Sequence, residues 1–293
     1  MIYQDNHMIK IIDTFSQIDS LFNNGTFHLK MWKEYINSIY DKASSIFEDD
    51  LKEYLDSGNY VYENDILPII NTVHGHSSLE TLHTSFINVT NELNERIINC
   101  FDHELDIDIV LYVGLCNAAG WVTNINGRDV ILLGIEKILE LNWYDEDSMH
   151  GLIYHELGHV YHKQYGVFNQ YSDNSSLHFI WKLFTEGIAM YFEQTLMNDL
   201  HYYHQNKNGW LTWCDNHFQQ ILTDFQSDLP MMTRFNQKYF GDWANYCGKG
   251  DVGYYLGARF VQYLCGKYNF EQLINAEIDD ISQEFFRFAE EKS

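Results

Sequence analysis

The sequence is poor in the residues that turn a chain or cross-link it. Only two prolines, Pro68 and Pro230, and 18 glycines occur among 293 residues, which favours long helices over a turn-rich all-β fold. The five cysteines are odd in number, and no two of them form a C-x-x-C pair. This pattern argues against a disulfide framework and a thiolate zinc cluster, so we expect reduced, mostly buried thiols.

Basic residues are scarce as well. Eighteen lysines and arginines stand against 42 aspartates and glutamates, which gives a formal net charge of −24. A field of that sign repels phosphate backbones, and no basic stripe reverses it locally. We therefore expect no nucleic-acid partner and interpret the charge as an acidic, solvated surface.

Long apolar segments are missing too. The longest apolar run, from Ile109 to Val122, is interrupted by small and polar residues and is too short to span a bilayer. Residues Met1 to His7 do not combine a basic region with a following apolar stretch. We therefore predict no signal peptide, no membrane partner and a cytoplasmic location.

The residues that are present indicate an α+β fold. From Phe15 to about Phe101 the apolar residues recur at helical spacing, as Leu29, Trp32 and Ile36 do. This pattern predicts a helical N-terminal portion over residues 1–105.

From Asp106 to Gly134 the apolar residues alternate as in strands, and Asn126-Gly127 is typical of a tight hairpin turn. Helical spacing then returns up to the C-terminus. We therefore predict a second domain over residues 106–293, in which a small antiparallel sheet accompanies a helical subdomain.

A candidate metal site lies in the first of these later helices. His155-Glu156-Leu157-Gly158-His159 is the H-E-x-x-H pattern. Residues four apart share a helical face, so both imidazoles can reach one ion. Glu156 is rotated by about 100° from His155, which places it beside a metal-bound water rather than on the metal.

A carboxylate from the following helix would complete the site. Glu186 has small neighbours, Gly187 and Ala189, which would let the two helices approach closely. Its rival is Glu193, two helical turns later on nearly the same face. Two histidines, one glutamate and an open fourth position are typical of catalytic zinc.

A donor to a developing oxyanion is the remaining requirement of a zinc hydrolase. Gly253-Tyr254-Tyr255-Leu256-Gly257 opens a late helix and offers a tyrosine hydroxyl. Tyr254 is the candidate, although the sequence leaves open whether Tyr254 or Tyr255 faces the metal.

These stretches resemble the gluzincin metallopeptidases, and most closely the predicted Zn-dependent proteases related to YjaZ. The likeness covers roughly residues 105 to 270. It implies one zinc per chain bound by His155, His159 and Glu186, with Glu156 as general base and Tyr254 steadying the transition state. It also implies a thermolysin-like catalytic domain acting on a peptide or protein substrate, with an edge strand for that substrate over residues 119–123.

The sequence departs from the relatives in two places. Aminopeptidases carry a G-x-M-E-N motif on the edge strand, whereas Asn117-Ala118-Ala119-Gly120-Trp121 contains no acid. Thermolysin-type sites have an aspartate four residues after the ligand glutamate, and here that position is Met190. Neither aminopeptidase activity nor the partners of the two ligand histidines can therefore be carried over.

Other histidines and other functions compete with this hypothesis. His74, His76, His83, His201 and His204 are interpreted as surface histidines, and His162 as a possible substitute ligand or neighbour of the site. The competing functions are a non-catalytic protein stapled by zinc and a zinc hydrolase of a non-peptide bond. An intact Glu156 favours an enzyme. Substrate, cleavage mode and oligomeric state stay open.

Overall fold

The computed structural model describes residues 9–241 and 243–292, so the Met1 to His7 stretch examined for a signal peptide lies outside it. The protein is a mixed α+β chain, mostly helical with a small sheet, which confirms the predicted class. It forms two compact units. The first ends at Glu156 and the second begins at Leu157, within a single helix.

All the strands of the described residues belong to the first unit. They are β1 (Ile9–Asp13), β2 (Phe22–Asn23), β3 (Thr26–Phe27), β4 (Ile107–Tyr112), β5 (Gly120–Ile125) and β6 (Arg128–Gly134). Four of them form one sheet in the order β1-β4-β6-β5, while β2 and β3 form a separate ribbon. Strand β4 is buried along its whole length, as expected for a central strand.

The main sheet is mixed, and the prediction of an antiparallel sheet was wrong. β1 pairs parallel with β4, and β4 pairs parallel with β6; only β5 and β6 are antiparallel. The chain leaves β4, runs out to the edge as β5, and returns to fill the place beside β4 as β6. Local alternation cannot reveal that order, because pairing depends on distant segments.

The predicted hairpin is confirmed. Asn126 and Gly127 join β5 to β6 with φ angles of 54° and 85°, the left-handed values that a two-residue type I′ turn requires. Glycine carries no steric cost at such an angle. The turn sets the pairing, so that Gly120 lies opposite Leu133.

Helices surround these strands in the first unit. They are α1 (Leu29–Ile39), α2 (Ser44–Asp56), α3 (Leu67–Asn71), α4 (Leu79–Thr90), α5 (Leu93–Phe101) and α6 (Ile135–Glu140), with a 3-10 turn at Phe15–Leu21 and a π turn at Tyr62–Ile66. Trp32, Phe47 and Phe86 are buried in its core. The helical prediction for residues 1–105 missed β1, β2 and β3; the boundary at 105/106 itself stays a prediction.

Helix α7 (Glu146–Tyr165) contributes to both units. The second unit continues with α8 (Ser175–Met197), α9 (Trp210–Asn216), α10 (Phe218–Asp228), α11 (Val252–Cys265), α12 (Phe270–Ile274) and α13 (Ile278–Lys292). Helices α8 and α11 approach each other closely at Gly187. A Cβ on this residue would lie only 2.3 Å from the carbonyl oxygen of Gly257. That approach places the two central helices of the unit backbone to backbone.

The cysteines and the hydropathy of the helices complete the description. All five cysteines are free. The expectation that most of them are buried was wrong: Cys214 is buried, whereas Cys100 and Cys247 are exposed. None of the helices within the described ranges is long and apolar enough to cross a membrane.

Candidate metal centre

Helix α7 carries the H-E-x-x-H residues. Its first turn is stabilised by the Asp145 side chain, which accepts a hydrogen bond from the Ser148 backbone N–H at 2.9 Å. Glu146 and Asp147 follow in the first turn, where their negative charges interact favourably with the positive end of the helix dipole. The helix is continuous through His155 and His159, so the two imidazoles lie one turn apart on one face, as predicted.

Helix α8 carries the carboxylate. The Asn174 side chain caps its start by accepting from the Leu177 N–H at 3.2 Å, and Asn198 ends it in a left-handed conformation with φ of 55°. Residues Phe179 to Met190, apart from Lys182, are buried. Glu186 is therefore held on a well-packed helix rather than on an exposed one.

A glycine brings the two helices together. A Cβ on Gly158 would lie 2.7 Å from the Cα of Ala189 and 3.1 Å from its carbonyl oxygen. The small residues predicted to permit this approach are confirmed at Ala189. Gly187 serves another contact, since its bare Cα faces Gly257 of α11 rather than α7.

The structure brings the three predicted ligands to one place. Ligand atoms of His155, His159 and Glu186 all lie within 4.8 Å of one another, and His159 Nε2 is 3.1 Å from Glu186 Oε2. His155 and Glu186 are buried, and the His159 side chain is 14% exposed. No other group of three such side chains was found among residues 9–241 and 243–292.

The donor set is suited to a divalent ion such as zinc. Two imidazole nitrogens and one carboxylate oxygen are the usual protein ligands of a three-ligand site. Donors at about 2.0–2.2 Å from a tetrahedral ion lie roughly 3.4 Å apart. The His159 to Glu186 spacing already approaches this value, and small side-chain rotations would close the remaining separations. The group could therefore hold a metal ion.

Glu156 points into a cradle made by the edge strand. Its side chain is buried, and a Cβ on Gly120 would lie 2.5 Å from Oε1 and 2.8 Å from Cγ. Any side chain at this position would push the Glu156 carboxylate aside. Gly120 is the first residue of β5, which lies at the edge of the sheet, so Glu156 abuts the strand predicted to receive a substrate.

Lys182 is a further residue near the group that was not predicted from the sequence. Its Nζ lies 3.5 Å from Glu186 Oε1 and 5.2 Å from the centre of the Phe240 ring, and its side chain is 37% exposed. The signal was present, because a lysine and a glutamate four apart on a helix pair regularly. The carboxylate of Glu186 thus touches an imidazole on one oxygen and approaches an ammonium on the other.

The two tyrosines of α11 have different surroundings. The hydroxyl of Tyr255 donates to Asp215 Oδ1 at 2.8 Å, and the ring is buried beside Tyr203 and Trp210. Tyr254 is only partly buried, and its ring lies 6.1 Å from Phe240, the ring that Lys182 covers. Tyr254 and Lys182 thus lie near the same ring, that of Phe240.

The rival ligand Glu193 is engaged elsewhere. Its Oε1 lies 3.0 Å from His204 Nδ1 and 3.3 Å from the His204 backbone N–H, and both side chains are buried. His204 was predicted to lie on the surface, and that was wrong because the 199–206 segment folds back onto α8. His201 and His74 are exposed, as expected.

His162 lies outside the ligand group. Its ring is fully buried among Phe168, Trp181 and Phe184. Burial lowers the pKa of His162 to about 3, because an apolar cage disfavours the charged imidazole. The ring therefore packs as a neutral aromatic near the end of α7.

The thermolysin-type aspartate has no polar replacement at its own position. Met190 is fully buried, and the Gln205 side-chain amide lies 3.9 Å from its sulfur, within reach of a weak hydrogen bond. The sulfur is a weak acceptor and carries no charge.

No protein-family model, curated protein or solved structure matches this chain. The likeness to the gluzincins therefore depends on the motif residues and stays a prediction.

Proposed function

We propose that this protein is a zinc-dependent peptidase of the gluzincin type. One zinc ion per chain would be bound by His155, His159 and Glu186. The observation that carries the proposal is the arrangement around α7: three ligand side chains within 4.8 Å, and beside them a buried Glu156 against the edge strand. A structural zinc site has no use for a carboxylate held in this way.

A thermolysin-like catalytic domain is part of the proposal. It is supported by the order of parts along the chain: a sheet with β5 at its edge, then the H-E-x-x-H helix, then a helix with the third ligand. The mixed sheet agrees with this arrangement as well as an antiparallel one would, because the edge strand is the part that matters.

The chemistry divides between the ion and Glu156. A bound zinc would polarise the scissile carbonyl and lower the pKa of a coordinated water toward about 7. Glu156 would take the proton from the attacking water and pass it to the leaving amine. Its packing against Gly120 restricts its rotamers, which keeps the carboxylate aimed at the bond held along β5.

The proposed substrate is an extended peptide or protein segment. The β5 strand pairs only with β6 among the described strands and is half-buried over most of its length. Its outer side can therefore pair with a further strand. No acid occurs in Asn117 to Trp121 to anchor a free amine, so cleavage within a chain agrees better with the site than removal of single N-terminal residues.

Tyr254 is proposed as the donor to the oxyanion. Two observations favour it over Tyr255: the Tyr255 hydroxyl already donates to Asp215, and Tyr254 faces the Phe240 and Lys182 side. A tyrosine hydroxyl is a suitable donor for a developing negative charge.

Metal analysis tests the ligand set. The parent protein, after zinc loading and gel filtration, should carry about one zinc per chain. His159→Ala and Glu186→Ala should lose it, whereas the matched control Glu193→Gln should retain it. Zinc that stays after Glu186→Ala but leaves after Glu193→Gln would show that the third ligand is wrong.

Turnover tests the role of Glu156. Glu156→Gln should keep its zinc and hydrolyse quenched-fluorescent peptides at least 100-fold more slowly than the parent, since the general base contributes about 10²–10⁴-fold. Full activity in this variant would overturn the assignment. A parent that binds zinc but cleaves no peptide in diverse pools would favour a zinc-stapled binding protein, and ester hydrolysis alone a non-peptide hydrolase.

A further inference from the structure

A second buried carboxylate lies in the first unit, in helix α6. Glu136 is fully buried, and the mechanism proposed above does not use it. Burial raises its pKa, while hydrogen bonds from backbone N–H groups oppose that rise. A buried carboxylate is costly unless it is hydrogen-bonded, so its partners indicate what it holds in place.

Its partners are the amides of the loop between β4 and β5. Gly114 N–H donates to Oε2 at 2.8 Å, and Cys116 N–H donates to Oε1 at 3.0 Å. Cys116 has a φ of 61°, a left-handed value that a residue with a side chain rarely adopts. The hydrogen bond to Glu136 helps to hold that conformation.

Two glycines fit the loop closely around this carboxylate. A Cβ on Gly114 would lie 2.6 Å from Glu136 Oε1, and a Cβ on Gly134 would lie 2.5 Å from the carbonyl oxygen of Ala118. The Gly134 N–H also donates to the Ala119 carbonyl at 3.0 Å. The loop is thus attached to α6 and to the end of β6 along its length.

The residue that follows this loop is Gly120, the first residue of β5, which contacts Glu156. These contacts form a short path. The Glu136 carboxylate holds the Gly114 and Cys116 amides, and the loop that contains them leads to Gly120. Gly120 in turn contacts the Glu156 side chain. All of these residues belong to the first unit.

We propose that Glu136 is a positioning residue of the peptidase site, which fixes the loop entering β5 and so places the substrate strand together with the glycine against which the Glu156 side chain packs. The proposal rests on the function proposed above. It assigns no contact between Glu136 and the substrate. The backbones of the predicted ligands His155, His159 and Glu186 are held by α7 and α8 rather than by this loop, so we expect Glu136 variants to keep their zinc.

The test compares Glu136→Gln with Glu140→Gln, a control at the exposed end of the same helix whose partner is Lys137. Glutamine keeps the size of the side chain but turns an NH₂ group toward one of the two amides. In Glu136→Gln the Gly114 and Cys116 amides should exchange with deuterium at least tenfold faster. The control should exchange like the parent.

Kinetics then separate positioning from general damage. Glu136→Gln should raise KM and lower kcat, each by about three- to tenfold, at one zinc per chain, since small misplacements are costly in a site of this kind. A variant that is merely less stable would lose zinc and active enzyme together with an unchanged KM. Parent-like exchange and parent-like kinetics in Glu136→Gln would overturn the proposal.

A second variant keeps the test decisive if Glu136→Gln does not fold. Gly114→Ala retains the charge of Glu136 but pushes the loop away from its carboxylate, and it should show the same rise in exchange and in KM. Unchanged exchange at Cys116 in this variant would also contradict the proposal.

If the parent bound zinc but cleaved no peptide, the proposed function would fail, while the exchange rates of the β5 amides would still decide whether Glu136 orders the strand.

Discussion

At the scale of single residues, the site is defined by what surrounds each carboxylate. Glu186 lies between an imidazole and an ammonium, Glu156 against a bare glycine, Glu193 beside a buried histidine, and Glu136 under two backbone amides. The same functional group thus has four different environments. Only the first two suit a ligand and a base.

Lys182 provides a prediction at this scale. Its ammonium lies 3.5 Å from Glu186 and competes with a metal ion for that carboxylate. Lys182→Gln should therefore tighten zinc binding by up to about fivefold, which corresponds to roughly 1 kcal/mol for a half-exposed charge pair. The measurement is competition with a chromophoric chelator.

The control for this experiment is Lys182→Arg, which keeps the charge and should bind zinc like the parent. Weaker zinc binding by Lys182→Gln would instead mean that the lysine holds Glu186 in its ligand orientation.

At the scale of elements, the centre depends on how closely α7 and α8 approach. Gly158 faces the backbone of Ala189 without a side chain between them. The predicted ligand His159 directly follows Gly158, and the predicted ligand Glu186 lies three residues before Ala189. Helix spacing therefore sets the distance between the ligands.

Gly158→Ala tests this spacing. Alanine favours an isolated helix over glycine by about 1 kcal/mol, so a substitution without steric consequences should stabilise the protein. Here the new Cβ would lie 2.7 Å from the Cα of Ala189, and we expect a net loss of about 1–3 kcal/mol in the free energy of unfolding. Zinc binding should weaken as well.

Chemical denaturation and zinc titration measure the two effects. Ser227→Ala, at an exposed position of α10, is the control and should change neither quantity. A Gly158→Ala variant more stable than the parent would show that the helices can separate without cost.

At the scale of the whole molecule, a metal ion bound at the proposed site and the net charge would both affect stability. The predicted ligands come from two helices, so an ion bound by them would stabilise the folded state. The formal charge of −24 means that any divalent cation screens repulsion between acidic groups to some extent. Stabilisation by a bound ion should require the ligand residues, whereas screening of the acidic groups should not.

Thermal unfolding separates them. Free zinc at 100 times its Kd should stabilise the parent by about 2.7 kcal/mol, and a chelator should remove this gain. His159→Ala should show no such gain, whereas calcium at the same concentration should raise the Tm of both proteins equally. An identical zinc response in both would mean that the ion binds elsewhere.

The sequence by itself determined the features that depend on neighbours along the chain. The H-E-x-x-H spacing places His155 and His159 on one helical face, and Asn126-Gly127 favours a hairpin, because a short local segment is enough to specify each. The spacing of the apolar residues likewise indicated the α+β class.

Only the tertiary structure decided the features that depend on distant segments. It placed Glu186 beside the two histidines and gave Glu193 a buried histidine partner elsewhere. It also engaged the Tyr255 hydroxyl with Asp215 and made the sheet mixed by placing β6 beside β4. Finally, it brought the loop before β5 onto Glu136. Such contacts join residues far apart in the chain. No local pattern encodes them, since the free energy that selects them comes from packing the whole unit.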